Sequence, residues 1–221
     1  MTKDNKNNLM VFFDFDNTIT TTDVIDDILE RFSKDDKWKA LEERWQREEI
    51  GSRECLKGQI EGIRIAKEKL DKYLLTIEID PYFKKLLRLF ELRGVPVLIV
   101  SDNFDYMIES VLKRNDIPDI EVYCNKTNFL NDKLNPSFPF ANKKCGDCAN
   151  CKKTHLLTKK KKSGVRTVYI GDGKSDVCAS KVSDMVFAKD YLKELFKKEG
   201  LPHIAIDSLK DVYEYFERRL L

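Results

Sequence analysis

The sequence predicts an α/β fold: a Rossmann-like doubly wound parallel sheet with a small helical cap domain inserted after its first strand. Three observations predict it. Short unbroken apolar runs recur along the chain, as strands buried on both faces require. Amphipathic helical patterns separate most of them. One long stretch, 22–80, breaks the alternation with helical pattern alone.

Leu9 to Phe13 (LMVFF) is the first buried strand. Val95 to Val100 (VPVLIV) is a second, with Pro96 near its start, where a strand tolerates proline best. Ile120 to Cys124 and Val165 to Ile170 read the same way, and Met185 to Ala188 and Ile204 to Ile206 are shorter candidates. Asp80-Pro81 opens a helix, with Asp as cap and Pro at the first helical position. Phe83, Leu86, Leu87 and Phe90 form its apolar face, and Arg93-Gly94 ends it. Asp105 to Lys113, Lys174 to Val182, Tyr191 to Lys198 and Leu209 to Leu220 complete the helices of the core. Within 22–80, Val24, Ile25, Ile28, Leu29 and Phe32 fall at helical spacing. Trp38, Leu41 and Trp45 do so next, then Leu56, Ile60 and Ile63, with Ser52 as an N-cap. Residues 9–21 plus 81–221 are therefore expected to form the core, and 22–80 the cap. Lys159 to Lys162 reads as a solvated loop before a strand.

At 221 residues the chain is long enough for one core and a small appended domain. Hydrophobic residues at 42% exclude a disordered chain. Lys+Arg number 40 and Asp+Glu 38, and a net charge of +2 argues against a nucleic-acid binder, which normally carries a basic excess. No apolar run approaches the roughly 18–20 residues of a membrane span. Met1 to Asn8 is polar and lacks a signal-peptide core, so a cytoplasmic location is expected, with reduced thiols. Cys145-x₂-Cys148-x₂-Cys151 then reads as local metal binding or a structured turn, with Cys124 able to close a four-thiolate zinc site. Cys55 and Cys178 are expected in the core, and His155 and His203 as structural residues. Oligomeric state has no signature in the sequence.

The residues that carry chemistry stand at strand ends. Asp14 and Asp16, in Asp14-Phe15-Asp16-Asn17-Thr18, lie two apart on an extended chain and face one site. In open α/β sheets ligands bind beyond the carboxyl ends of strands, which is where this pair falls. Two close carboxylates repel and need a cation. Gly171-Asp172-Gly173-Lys174-Ser175-Asp176 closes another strand, and Asp172 and Asp176 can converge on the same ion. An all-oxygen set suits Mg²⁺. Ser101-Asp102-Asn103 ends a third strand, with a hydroxyl placed for an anion such as phosphate.

These segments resemble the haloacid-dehalogenase-like phosphohydrolases over essentially the whole chain. Asp14 to Thr18 matches the first motif (DxDxT), Ser101 the second, and Gly171-Asp172 through Asp176 the fourth (GDxxxD). The third motif is a lysine, assigned to Lys152, because related groups carry a cysteine-rich stretch ending in Cys-Lys, like Cys151-Lys152. The insert at 22–80 is similar to the cap of the phosphoserine-phosphatase-like branch. Two groups look nearest. Ser101-Asp102-Asn103 and Asp176-Val177-Cys178 resemble phosphoethanolamine/phosphocholine phosphatases. Tyr123-Cys124-Asn125 and Phe187 to Leu192 resemble the methionine-salvage phosphatase acting on 2-hydroxy-3-keto-5-methylthiopentenyl 1-phosphate.

The resemblance implies a phosphomonoesterase acting on a small metabolite through an aspartyl-phosphate. Asp14 would be the nucleophile and Asp16 the general acid and base. Mg²⁺ would be held by Asp14, the Asp16 carbonyl and Asp172, with Asp176 behind Asp172. Thr18, Ser101 and Lys152 would hold phosphoryl oxygens. Having Asp at position 16 favours phosphatase or phosphomutase over the transport ATPases and dehalogenases of the superfamily. Asp23 resembles a substrate-ammonium ligand and also fits a helix cap. Asp102 is a second negative group near the phosphate pocket, and Arg53 is a candidate for a substrate carboxylate. The alternatives are a phosphomutase, or a zinc-knuckle nucleic-acid-binding protein built on the cysteines and lysines.

Overall fold

The computed structural model describes residues 8–117 and 119–220. Seven strands form one sheet: β1 (Leu9–Phe13), β2 (Val97–Phe104), β3 (Glu121–Leu130), β4 (Lys133–Ser137), β5 (Arg166–Gly171), β6 (Met185–Ala188) and β7 (Ile204–Ala205). Their order is β4-β3-β2-β1-β5-β6-β7. Every neighbouring pair is parallel except β3 and β4, which form an antiparallel hairpin. β1 lies at the centre with β2 on one side and β5 on the other. The crevice beyond the carboxyl ends of these three strands is the switch point where such sheets bind ligands.

Period-two alternation divides β1 between two cores. Val11 and Phe13 pack on one face with helix α5 (Pro81–Leu92), α6 (Asp105–Arg114) and α10 (Leu209–Leu220). There Phe13 meets Phe83 edge-on at 5.3 Å, and Phe90 meets Phe216 at 5.1 Å. Met10 and Phe12 face the other side, against Leu156 of α7 (Lys152–Ser163) and Ala179 of α8 (Val177–Ser180). α9 (Asp190–Glu199) covers β6 through Leu192 and Phe196. Val11, Phe12 and Phe13 have no exposed surface, which accounts for the unbroken apolar run.

Between β1 and α5 the chain builds α1 (Val24–Phe32), α2 (Lys37–Gln46), α3 (Ser52–Glu61) and α4 (Lys67–Leu74). The insertion leaves and returns through one stem. Thr20 bridges Ile79, and the Asp80 N–H donates to Ile19 O at 2.8 Å. Asp80 caps α5 through Tyr82 N with Pro81 at the first turn, as the sequence predicts.

The structure departs from the sequence expectations at five places in the fold. β2 runs past Val100 to Phe104, so Ser101, Asp102 and Asn103 lie within a strand whose register against β3 shifts at that point. The β3–β4 hairpin replaces a short strand at 120–124. Its turn, Asn131-Asp132, takes positive φ at both residues (50° and 57°), the conformation of a two-residue hairpin loop. Lys159 to Lys162 is the last turn of α7, not a loop: its poorly amphipathic face hid the helix, while Gly164 at φ 62° ends it. The helix expected over 174–182 is a 3₁₀ turn at Lys174–Asp176 followed by the single turn of α8. Ser52 is the first residue of α3 and not its cap. Its hydroxyl instead accepts from Ala149 N at 2.9 Å.

Candidate active site

The ends of β1, β2 and β5, the start of α7 and the cap helices enclose a cavity of about 260 Å³. Asp14, Asp16, Ser101, Asp102, Lys152 and Asp172 all line it. Carboxylate oxygens of Asp14, Asp172 and Asp176 lie within 4.8 Å of one another, a set able to hold a hard cation.

Each carboxylate is oriented by a different partner. Asp14 Oδ1 accepts from Lys152 Nζ at 2.8 Å. Burial, with Asp176 and Asp172 beside it, raises the Asp14 pKa well above the usual carboxylate range against the pull of Lys152. Asp16 Oδ1 accepts from Val24 N at 3.0 Å and from Asn103 Nδ2 at 2.9 Å. Desolvation, then the charge of Asp23, raises the Asp16 pKa well above its ordinary value. Asp172 accepts from Thr18 Oγ1 and Asn17 Nδ2, each at 3.0 Å. Desolvation and Asp176 push its pKa up to about 6. Asn17 reaches it from a left-handed backbone, φ 51°, which asparagine tolerates better than most residues.

Asp176 is the hub. Its Oδ1 accepts from Lys152 Nζ at 2.6 Å and from Tyr169 OH at 2.6 Å, and its Oδ2 accepts from the N–H groups of Asp172 and Gly173. A Cβ on residue 171 would stand 2.5 Å from Asp176 Oδ2, so the close approach requires Gly171. Lys152 Nζ also meets Ser175 Oγ at 2.9 Å. Burial works against its charge, but Asp14 and Asp176 overcome it and hold the ammonium well above the ordinary lysine value.

Most of the residues expected at the site line one cavity, and others take different positions. Thr18 does not line the cavity, and its hydroxyl is committed to Asp172. Ser101 is fully buried at the cavity wall and accepts from Asn103 N at 3.0 Å. Asp23 caps α1 through Asp26 N at 2.9 Å and lines the cavity as well. Asp102 Oδ1 is buried without a hydrogen-bond partner. Arg53 does not face the cavity: its guanidinium pairs with Asp147 at 2.8 and 3.0 Å. Cys145, Cys148 and Cys151 gather their sulfurs within 4.8 Å, but Cys124 is not among them. Cys178 is not a core residue. It is half-buried, with Cys145 and Cys151 nearby.

Several contributors escaped the sequence analysis. Asn103 orients Asp16, and Asn17 and Tyr169 orient Asp172 and Asp176. Asn150 ties Ser101 O to Tyr123 O, 2.8 Å from each, just ahead of Lys152. From the cap, Asp26 and Glu42 face the cavity. The run of carboxylates in Asp23-Val24-Ile25-Asp26-Asp27 at the start of α1 was the available signal for Asp26.

A family model described as Putative Phosphatase matches residues 9–200. The chain belongs to this family. It is 29% identical over 218 residues to a 2-hydroxy-3-keto-5-methylthiopentenyl-1-phosphate phosphatase of Geobacillus thermodenitrificans, covering 96% of this chain and 97% of that one. It is 30% identical to the bifunctional enzyme MtnB/MtnX of Bacillus licheniformis, where the match covers 94% of this chain but 49% of the longer relative. Among solved structures, a substrate-bound phosphoserine phosphatase superposes with a TM-score of 0.70 at 21% identity, covering 93% of this chain and 97% of that one. A phospho-aspartyl intermediate analogue of phosphoserine phosphatase gives 0.73 at 19% identity, covering 93% and 97%. The family member is thus a phosphoric monoester hydrolase with the haloacid-dehalogenase-like fold. No helix among the described residues is long and apolar enough to cross a membrane.

Proposed function

We propose that the chain hydrolyses a small phosphomonoester bearing a cationic group and no carboxylate, an aminoalkyl phosphate such as phosphoethanolamine or phosphocholine. The observation that carries this is the charge of the cavity beyond the phosphate end. Asp23, Asp26, Glu42 and Asp102 line it, and Asp102 Oδ1 has no partner. Trp45 adds an aromatic wall of the kind that attracts quaternary ammonium groups. Two cations on neighbouring elements are already engaged. Lys174 Nζ donates to Trp45 O and Gln46 O at 3.1 and 2.7 Å, and Arg53 is held by Asp147. Among the described residues, neither of these cations is left free for a substrate carboxylate, which disfavours phosphoserine.

The donor set fits Mg²⁺: carboxylate oxygens only, with pKa values raised by desolvation and then by one another's charge. Asp14 and Asp172 would hold the ion, while Asp176, already accepting four hydrogen bonds, orients Asp172 and Lys152. When bound, the ion supplies positive charge between an anionic nucleophile and an anionic phosphate. Asp14 attacks phosphorus, and the bond from phosphorus to the alkoxy oxygen breaks. Asp16, whose protonated form is favoured by burial and by the charge of Asp23, gives its proton to that oxygen. Asp16 then takes a proton from water, which cleaves the aspartyl-phosphate and restores Asp14. Ser101 supports a phosphoryl oxygen, and Lys152 holds the charge of Asp14. Transfer to water makes a phosphatase. A phosphomutase needs a second substrate hydroxyl in the same place.

A second substrate is favoured by the relatives that carry the name of the methionine-salvage phosphatase. Ile25, Trp45 and Leu56 give the cavity an apolar wall that suits a thioether. Phosphate release with Mg²⁺ from phosphoethanolamine, phosphocholine, phosphoserine and 2-hydroxy-3-keto-5-methylthiopentenyl 1-phosphate, beside Asp14→Asn, tests the assignment. The expected order of kcat/KM puts the two aminoalkyl phosphates first. Preference for the thioether substrate, or for phosphoserine, overturns it.

A further inference from the structure

The loop from Asn142 to Cys151 joins three parts of the molecule. It meets the cap through Arg53 and Asp147, and Gly51 lies so close that a Cβ there would stand 2.4 Å from Asp147 O. It meets β2 and β3 through Asn150, at Ser101 O and Tyr123 O. It then leads directly into Lys152, the buried cation of the site. A loop with these duties must hold its shape, yet it offers little apolar surface of its own: Ala149 and Cys151 are its only buried hydrophobic residues among those described.

Its sulfurs supply another means. Gly146 and Asp147 take left-handed φ values of 66° and 50°, and this double reversal brings Cys145 and Cys148 together. Cys151 completes a triad of free thiols whose sulfurs lie within 4.8 Å of one another. Thiolates around one tetrahedral zinc sit about 3.8 Å apart, given zinc–sulfur bonds of about 2.3 Å. Donors already point at the sulfur of Cys151: Thr154 Oγ1 at 3.0 Å and Asn142 Nδ2 at 3.7 Å, as outer partners of a metal-bound thiolate do. Cys178 is the fourth sulfur. It lies in the turn after Asp176, half-buried and near Cys145 and Cys151, which bear on its thiol.

We propose that Cys145, Cys148, Cys151 and Cys178 hold a structural zinc ion, separate from the carboxylate site. Cys178 stands outside the mutual limit of the triad and enters by turning its side chain toward it. Soft thiolates in tetrahedral array select zinc over the hard cation of the carboxylates. Four protein ligands leave no open position, so the ion is a cross-link and not a reactant. What it links is specific: the loop ending at Lys152 and the turn ending at Asp176, whose side chains meet at 2.6 Å. The metal thereby fixes the two ends of that ion pair.

The full chain, purified without chelator and offered equimolar zinc, is expected to retain one zinc ion per chain by elemental analysis. Cobalt(II), added to the metal-free wild-type chain with magnesium in excess, should give the intense thiolate charge-transfer and tetrahedral visible bands that an oxygen site cannot produce. Failure to take up zinc, or cobalt spectra without thiolate bands, overturns the proposal. Cys178→Ser should weaken zinc binding by more than the roughly 10- to 100-fold that an outer-shell contact is worth, while Cys124→Ser leaves it unchanged. Equal zinc affinity in these two variants removes Cys178 from the set and overturns the four-thiolate site. The cobalt measurement on the wild-type chain decides the case where a serine variant does not fold.

Discussion

Lys152 Nζ lies 2.8 Å from Asp14 Oδ1, across 138 residues of sequence. Both side chains are buried, at 1% and 7% exposure, and the same ammonium meets Asp176 at 2.6 Å. Removing a single partner from a buried ion pair leaves an uncompensated charge and costs about 3–5 kcal/mol. Lys152→Met should therefore unfold at markedly lower urea with magnesium withheld. Adding Asp176→Asn to it should restore part of the loss, because one of the two orphaned carboxylates is then neutral. A wild-type urea midpoint for Lys152→Met alone would contradict this account.

Asp14 and Asp16 sit at one strand end but should fail differently. Asp14→Asn removes the nucleophile, and turnover should be lost. Asp16→Asn keeps the nucleophile and loses proton transfer, which is worth roughly 10²–10⁴ in rate. The contrast is sharpest with an ester whose leaving group is already acidic, since it needs no proton. Phosphate release from 4-nitrophenyl phosphate should suffer less from Asp16→Asn than release from phosphoethanolamine. Near-full activity in Asp14→Asn would rule out the covalent route.

The central strands and the acidic strand ends were legible because both rest on local pattern. An apolar run such as LMVFF is dictated by burial on two faces, and Asp-x-Asp by the alternation of an extended chain. α7 was not legible, because its helical face is a buried lysine, a histidine and a leucine amid solvated lysines. What holds Lys152, His155 and Leu156 inside is tertiary: Asp14 and Asp176 for the first, Asn150 and the stacked Tyr123 ring for the second. The same holds for Thr18. The motif marks the residue, but only the fold shows its hydroxyl turned to Asp172. Arg53 has its partner, Asp147, 94 residues away, beyond the reach of any periodicity.

Lys174 fastens the cap to the core. Its ammonium, on the turn after β5, donates to Trp45 O and Gln46 O at the carboxyl end of α2. A cation there is worth about 0.3–1 kcal/mol from the helix dipole. Lys174→Met keeps the stem against Trp45 and removes the charge, so the cap should open more often. KM should rise about two- to fivefold, the same free energy expressed as a ratio, with kcat little changed. Proteolysis between α2 and α3 should quicken in parallel. An unchanged KM with wild-type proteolysis would show that Lys174 is not the fastening.

Asp26 makes the cap sensitive to pH. It lines the cavity beside Asp23 and Glu42, and desolvation followed by these two charges pushes its pKa up to about 7. An acid with a raised pKa is neutral below that value and negative above it, so the cap gains negative charge as pH rises through 7. A cationic substrate should then bind more tightly. KM for phosphocholine, whose ammonium does not titrate, should fall between pH 6 and pH 8. Its phosphate group also ionises, with a pKa near 6, and that contribution is common to every variant. Asp26→Asn removes the carboxyl and should leave the shallower dependence due to phosphate and to Asp172, whose pKa is about 6. Identical KM profiles for the two proteins would exclude Asp26 as the titrating group that meets the substrate cation.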